Sequence, residues 1–207
     1  MQVSEEVRIR ERIISSVEIA SKCGKALSMR EIDLLLPKQL KSINSRRIIQ
    51  DDPVASKAVS INDELVVLKG YENLFVERQL RERNALRDRK IAKVFIDELI
   101  RSSPYIKLVA VSVSVAYGST KDTDDIDLFL ITRKNRMWLS FLRALVLARA
   151  FSMKASLVGG KANFCLSYIQ GEKQFEKEMQ KRRNPLFARE FLSLHVVRGN
   201  HYYNALM

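Results

Sequence analysis

The sequence predicts an α+β fold: an N-terminal helical module closed by a β-hairpin, a long connecting helix, and a minimal α/β domain with a small mixed sheet. Three observations carry this reading. Helical periodicity broken by Gly24, Pro37 and Asp51-Asp52-Pro53 fills the first fifty or so residues. A stretch free of Gly and Pro then runs from Tyr71 to Arg101, and beyond Pro104 β-branched runs alternate with helical ones. With 207 residues, 46% of them hydrophobic, the chain can bury one good core or two small ones, which excludes extended disorder and a large multidomain machine.

The N-terminal module spans residues 1–70. Val7, Ile9, Ile13, Ile14, Val17 and Ile19 mark the apolar stripe of a first helix, which Gly24 ends. Ser28 followed by Glu31 has the spacing of a capping box and opens a second helix through Leu36, where Pro37 stops it. A third helix is expected over Gln39 to Gln50, with Lys41, Arg46 and Arg47 among its apolar residues, ended by Asp51, Asp52 and Pro53. Val59 to Leu68 reads as two short strands around Asn62 and Asp63, with Gly70 closing the unit. Three helices and a hairpin is the order of a winged helix-turn-helix, which would set Lys41, Arg46 and Arg47 against DNA; the same order serves many protein-interaction modules.

Residues 71–103 form the connecting helix. Its apolar positions alternate with many Arg and Lys, a basic face that pairs largely with Glu77, Glu82 and Asp88 along a solvated surface. Residues 104–207 form the last domain. A strand is expected over Ile106 to Val115 and a second over Ile126 to Thr132. A buried helix, Met137 to Phe151, follows, with Trp138 read as a core residue. A third strand from about Ala162 to Ile169, with Cys165 read as buried, and helices near Glu172 to Arg182 and Pro185 to Leu194 complete it.

The 36 Lys and Arg outnumber the 24 Asp and Glu, a formal net charge of +12 that favours an anionic partner: nucleic acid, a phosphorylated small molecule or an anionic surface. Cys23 and Cys165 stand far apart with no Cys or His at ligand spacing, so a disulfide scaffold and a Cys-rich zinc site are both excluded. The N-terminus has no apolar segment of signal-peptide length, and the most hydrophobic helix is shorter than the ~20 residues of a membrane span. A cytoplasmic protein with no membrane partner is the expectation.

Chemistry concentrates between Ser112 and Ile131. Asp125 and Asp127 sit one residue apart at the head of a strand, so both carboxylates project from one face while Ile126 and Leu128 point into the core. Two carboxylates without His or Cys suit a hard cation, Mg²⁺ or Mn²⁺, that keeps several waters and accepts phosphate oxygens. Upstream lie a strand, Ser114, and a loop with Ala116 and Gly118. Here the sequence resembles the DNA polymerase beta-like nucleotidyltransferase superfamily, and most closely its small prokaryotic members with a winged-helix-like N-terminal region. The likeness covers nearly the whole chain, from Leu68-Lys69-Gly70 through Arg136-Met137-Trp138-Leu139 and Asn163-Phe164-Cys165-Leu166 to Phe187-Ala188-Arg189-Glu190 and Tyr202-Tyr203. Asp125-Ile126-Asp127-Leu128 is its most specific part.

The resemblance implies a nucleotidyltransferase domain in which Asp125 and Asp127 hold Mg²⁺ (or Mn²⁺) and bind a nucleoside triphosphate. Its nucleotide-binding turn fits two registers. One uses Gly118 and Ser119 and leaves a short loop before the acids; the other, which is the preferred reading, uses Ser114, keeps the usual loop length and sets Val113 at the family's glycine. The family's third carboxylate, on a later strand, has no counterpart, because no Asp follows Asp127 and only the neutral Asn163 and Ser167 offer polar side chains there. Two function classes follow: a nucleotidyltransferase-like enzyme acting on a hydroxyl acceptor, or a non-enzymatic DNA-binding regulator that retains a degenerate domain.

Overall fold

The computed structural model describes residues 2–36, 45–157, 162–181, 187 and 191–207, with side chains from residue 7 onward except at Val113 and Lys181. The expected α+β class is observed. The chain divides into two compact units, residues 1–81 and 82–207, and the division falls within the long helix.

The first unit opens with α1 (Gln2–Lys22), whose stripe buries Ile9, Ile13 and Val17. Strand β1 (Leu27–Ser28), which the sequence did not suggest, runs into α2 (Met29–Leu35). The expected capping box is present: the Ser28 hydroxyl accepts from the Glu31 N–H, and the Glu31 carboxylate accepts from the Ser28 N–H. Helix α3 (Ser45–Asp51) covers the end of the third predicted helix; its remainder, with Lys41, lies outside the described residues.

The Asp51-Asp52-Pro53 break is also a beginning. Asp52 accepts from the Val54 and Ala55 N–H groups, and Pro53 fills the first turn of α4 (Pro53–Ala58), where its missing N–H costs nothing. Strands β2 (Val59–Asn62) and β3 (Leu65–Leu68) form the expected hairpin, with Asp63 in the left-handed region at its turn, and β1 pairs with the free edge of β3. Apolar residues of α1 to α3 pack with Val59 and Val66 to close the core.

Helix α5 (Asn73–Ser102) gives Leu74 to the first unit and Ala92, Phe95, Ile96 and Leu99 to the second. The second unit is built on a four-stranded sheet in the order β6-β5-β4-β7, made of β4 (Ile106–Val111), β5 (Ile126–Thr132), β6 (Phe164–Gly171) and β7 (His195–Arg198). β5 and β6 are parallel, and the other pairs are antiparallel. Val109, Val111, Leu128 and Leu130 face α5 and α7 (Met137–Leu157). Leu108, Ala110, Phe129 and Ile131 face Phe175 of α8 (Glu172–Lys181), Phe191, and α9 (Asn200–Leu206). Gly199 holds a left-handed φ of 90°, and a side chain there would run into the Lys107 carbonyl, which lets α9 turn back onto the sheet.

Two expectations are corrected. The strand read as Ile106 to Val115 stops at Val111, and Val113–Tyr117 form a short helix, α6. Trp138 lies outside the core, 74% exposed, because α7 packs on the sheet through Ser140, Ala144 and Ala148, with Leu147 and Phe151 beside them, and Trp138 falls on the opposite side of the helix.

Candidate functional site

The site lies at one end of the sheet, where β4 finishes and β5 and β6 begin. Antiparallel pairing sets Ser112, just beyond β4, beside Asp127: the Ser112 N–H donates to the Asp127 carbonyl at 2.9 Å. Asp125 immediately precedes β5 and is exposed; Asp127 is its second residue and half-buried. Ile126 and Leu128 between and beyond them are buried in the core, as the alternation requires.

Cys165 of β6 stands directly opposite Asp127 in the parallel pair, and Ser167, two residues on, donates its hydroxyl to Asp127 Oδ1 at 2.7 Å. Desolvation first, and then the Asp127 charge and its hydrogen bond, push the Cys165 thiol above its ordinary pKa, with Asp125 adding to the rise. Asp127 thus meets β6 directly, through Cys165 and Ser167, while Asp125 stands two residues before it at the head of β5. The expectation of a buried Cys165 is corrected: β6 is an edge strand, so its alternate residues Cys165 and Ser167 are exposed. Period-two alternation through Asn163, Cys165 and Ser167 was the sequence signal that could have put the thiol on this face.

The turn after β4 bears on the two registers. Gly118 caps α6 with φ at 72°, and its N–H donates to the Ser114 and Val115 carbonyls. The Ser119 N–H donates to the Ser114 carbonyl at 2.9 Å, and Ser119 is buried. The amides of Gly118 and Ser119 are thus engaged within the turn. Ser114, in the body of α6, is half-buried. Arg89 of α5 fastens the far end of α6, donating to the Val115 and Ala116 carbonyls at 3.1 and 2.9 Å, and Arg87 pairs with Asp122 at 2.8 Å. Thr120 is fully buried in this loop, its hydroxyl without a hydrogen-bond partner, while Asn84 donates to its carbonyl at 3.4 Å.

Other candidates lie elsewhere. Glu172, the first carboxylate after Asp127 in the sequence, pairs with Lys107 and accepts the Lys134 N–H at 3.0 Å, next to Gly171 and Thr132 at the opposite end of the sheet. Glu190 lies outside the described residues, among which no group of three or more His, Cys, Asp or Glu is placed to hold a metal. His195, given no role from sequence, opens β7 opposite Val111 at the site end of the sheet, where desolvation and Arg89 hold its pKa below the usual value. In the first unit Arg46 bonds the Asp63 carbonyl and pairs with Glu64 at 3.1 Å, and Arg47 pairs with Asp51 at 3.2 Å while remaining largely exposed.

Two carboxylates and a neutral hydroxyl match a hard cation that takes one or two protein oxygens and completes its shell with water and phosphate. Neither a protein-family model, nor a curated protein, nor a solved structure matches the chain.

Proposed function

We propose that this protein binds a nucleoside triphosphate with Mg²⁺ or Mn²⁺ at Asp125 and Asp127, as a nucleotidyltransferase-like domain that shares its chain with a winged-helix-like module. The observation that carries the reading is the placement of Asp127 against Cys165 and Ser167 at the open end of the sheet, with Asp125 two residues before it and one hydrogen bond joining Asp127 to the turn that leads to Ser114. The cation would screen charge on the triphosphate while Asp125 and Asp127 hold it. In transfer, an acceptor hydroxyl oxygen bonds to the α-phosphorus, the bond to the bridging oxygen breaks, and pyrophosphate leaves with that oxygen. The proton of the acceptor is left to the Asp pair or to water. Ser167 orients Asp127 through its hydroxyl but supplies no base.

That last point favours a second reading, a regulator that binds nucleotide without turnover and contacts DNA through its first unit. The helices α1 to α4 followed by a hairpin, and the exposed Arg47, support a DNA-facing module, although α4 is one helix more than the three-helix order expected from the sequence. One assay separates the readings. The full-length protein is incubated with Mg²⁺, each nucleoside triphosphate labelled at the α-phosphate, and candidate hydroxyl acceptors, with pyrophosphate release followed in parallel. Transfer of label that Asp127→Asn abolishes establishes the enzyme. Saturable triphosphate binding without label transfer establishes the regulator, and absence of both rejects the nucleotide site.

A further inference from the structure

Helix α7 is amphipathic in an inverted sense. Its buried positions are the small residues Ser140, Ala144 and Ala148, flanked by the half-buried Leu147 and Phe151 that pack on the core, while Leu139, Leu142, Leu145, Val146 and Met153 are exposed. Leu142 is 61% and Val146 68% exposed. The outward residues keep a seven-residue rhythm: Leu139, Val146 and Met153 occupy one position of the repeat, Leu142 and Arg149 the position three residues later. This is the spacing of a seam that receives another helix, sustained over about 31 Å for 21 residues.

We infer that α7 docks an acidic amphipathic helix of a partner protein, with a partner carboxylate facing Arg149. Charge complementarity selects this occupant. Residues 128–171 contain no Asp or Glu, while Arg143, Arg149 and Lys154 lie on α7 itself. At the N-terminal end of the seam Trp138 and Met137 line an open hollow with Lys134 and Lys173. On the same side of the sheet, Asp97 and Glu98 of α5 are paired with Lys93 and Arg101. Of the α8 carboxylates, Glu172 beside the hollow is already paired with Lys107 and bonded to the Lys134 N–H, and Glu176 accepts from Tyr202 on the other face.

Two other occupants are disfavoured by Arg149, which sits within the seam. A parallel second copy would set two guanidinium groups against each other. A bilayer would have to take that charge among its acyl chains, whereas an acidic helix pairs with it.

Trp138 is the chain's single tryptophan and reports on this surface directly. The full-length protein is titrated with a three-heptad helical peptide bearing Leu at the seam positions and Glu at the flanking ones, and with a control carrying Lys in place of Glu. The expected result is a saturable blue shift of Trp138 emission with the Glu peptide only. Leu142→Asp abolishes it. Arg149→Glu weakens the Glu peptide at least tenfold and admits the Lys peptide. Leu142 and Arg149 are exposed, so circular dichroism and thermal unfolding should be unchanged in both variants.

Three results overturn the inference: no emission change with either peptide; a free protein that sediments as a dimer which Val146→Asp returns to monomer; or a blue shift with phosphatidylcholine–phosphatidylserine vesicles and none with the Glu peptide. The test is independent of nucleotide binding, since the Asp125 and Asp127 site plays no part in it.

Discussion

At the scale of single residues, the account turns on what stands opposite Asp127. Cys165 occupies that place in the neighbouring strand, and its thiol offers no charge to a hard cation. Cys165→Asp should therefore create a third carboxylate: Mg²⁺ affinity, read by isothermal titration with a nucleoside triphosphate present, rises tenfold or more. Unchanged affinity in a folded variant would mean that the Asp pair is not the metal site. Gly118 is the other single-residue test. A side chain there meets open space, so only the left-handed φ of 72° resists substitution. Gly118→Val should cost about 1–2 kcal/mol in urea unfolding. Because the Gly118 and Ser119 amides are already bonded within the turn, triphosphate affinity of the folded variant should be unaltered if Ser114 marks the phosphate turn and lost if Gly118 and Ser119 do.

Among elements, the start of α2 shows how local sequence sets stability. Burial alone would raise the Glu31 carboxyl, but Lys25, the Ser28 N–H and Arg78 together hold it down at about 2. Its folded pKa lies below the unfolded one, so this stability is present above the ordinary value of 4.5 and is lost as pH falls toward 2. The contribution is roughly 2–3 kcal/mol at neutral pH. Glu31→Gln should lower stability at pH 7 by that order and flatten the pH dependence between 5 and 2; equal slopes for both proteins in denaturant titrations across that range would contradict it.

This capping box was legible in the sequence because its chemistry is local: Ser28 and Glu31 recognise each other within one turn. The hairpin at Asn62 and Asp63, the long helix and the strand that follows Asp125 and carries Asp127 were legible for the same reason. What escaped depends on partners distant in sequence. Strand β1 exists because β3 offers it an edge. Trp138 could be placed only by knowing which side of α7 meets the sheet, and the exposure of Cys165, whose face the alternation already gave, only by knowing which strand lies at the rim. Val113 and Val115 favour strands by propensity, yet the chain turns helical there, a tertiary override of a weak local preference.

For the whole molecule, a net charge of +12 predicts affinity for polyanions, and the winged-helix reading adds that the contact surface includes Arg46 and Arg47. Binding of a duplex DNA should weaken steeply between 50 and 200 mM salt. Arg47→Ala should reduce the logarithmic slope by about one, as a lost phosphate contact does. Arg46 already serves the hairpin through Asp63 and Glu64, so its replacement should also lower thermal stability. Fluorescence anisotropy that detects no DNA binding at 50 mM salt would assign the first unit to protein contacts instead.

The central claim is that Asp125 and Asp127 hold a cation together with a triphosphate. Ligand that binds only the folded state raises stability by about 2.7 kcal/mol at a hundredfold excess over its dissociation constant. The direct measurement is thermal unfolding of the wild type and of the Asp125→Asn, Asp127→Asn double variant, each with Mg²⁺ and a nucleoside triphosphate added singly and together. The account predicts a rise in Tm for the wild type that requires both ligands and vanishes in the double variant. An equal rise in both proteins, or none in the wild type at millimolar ligand, would contradict it.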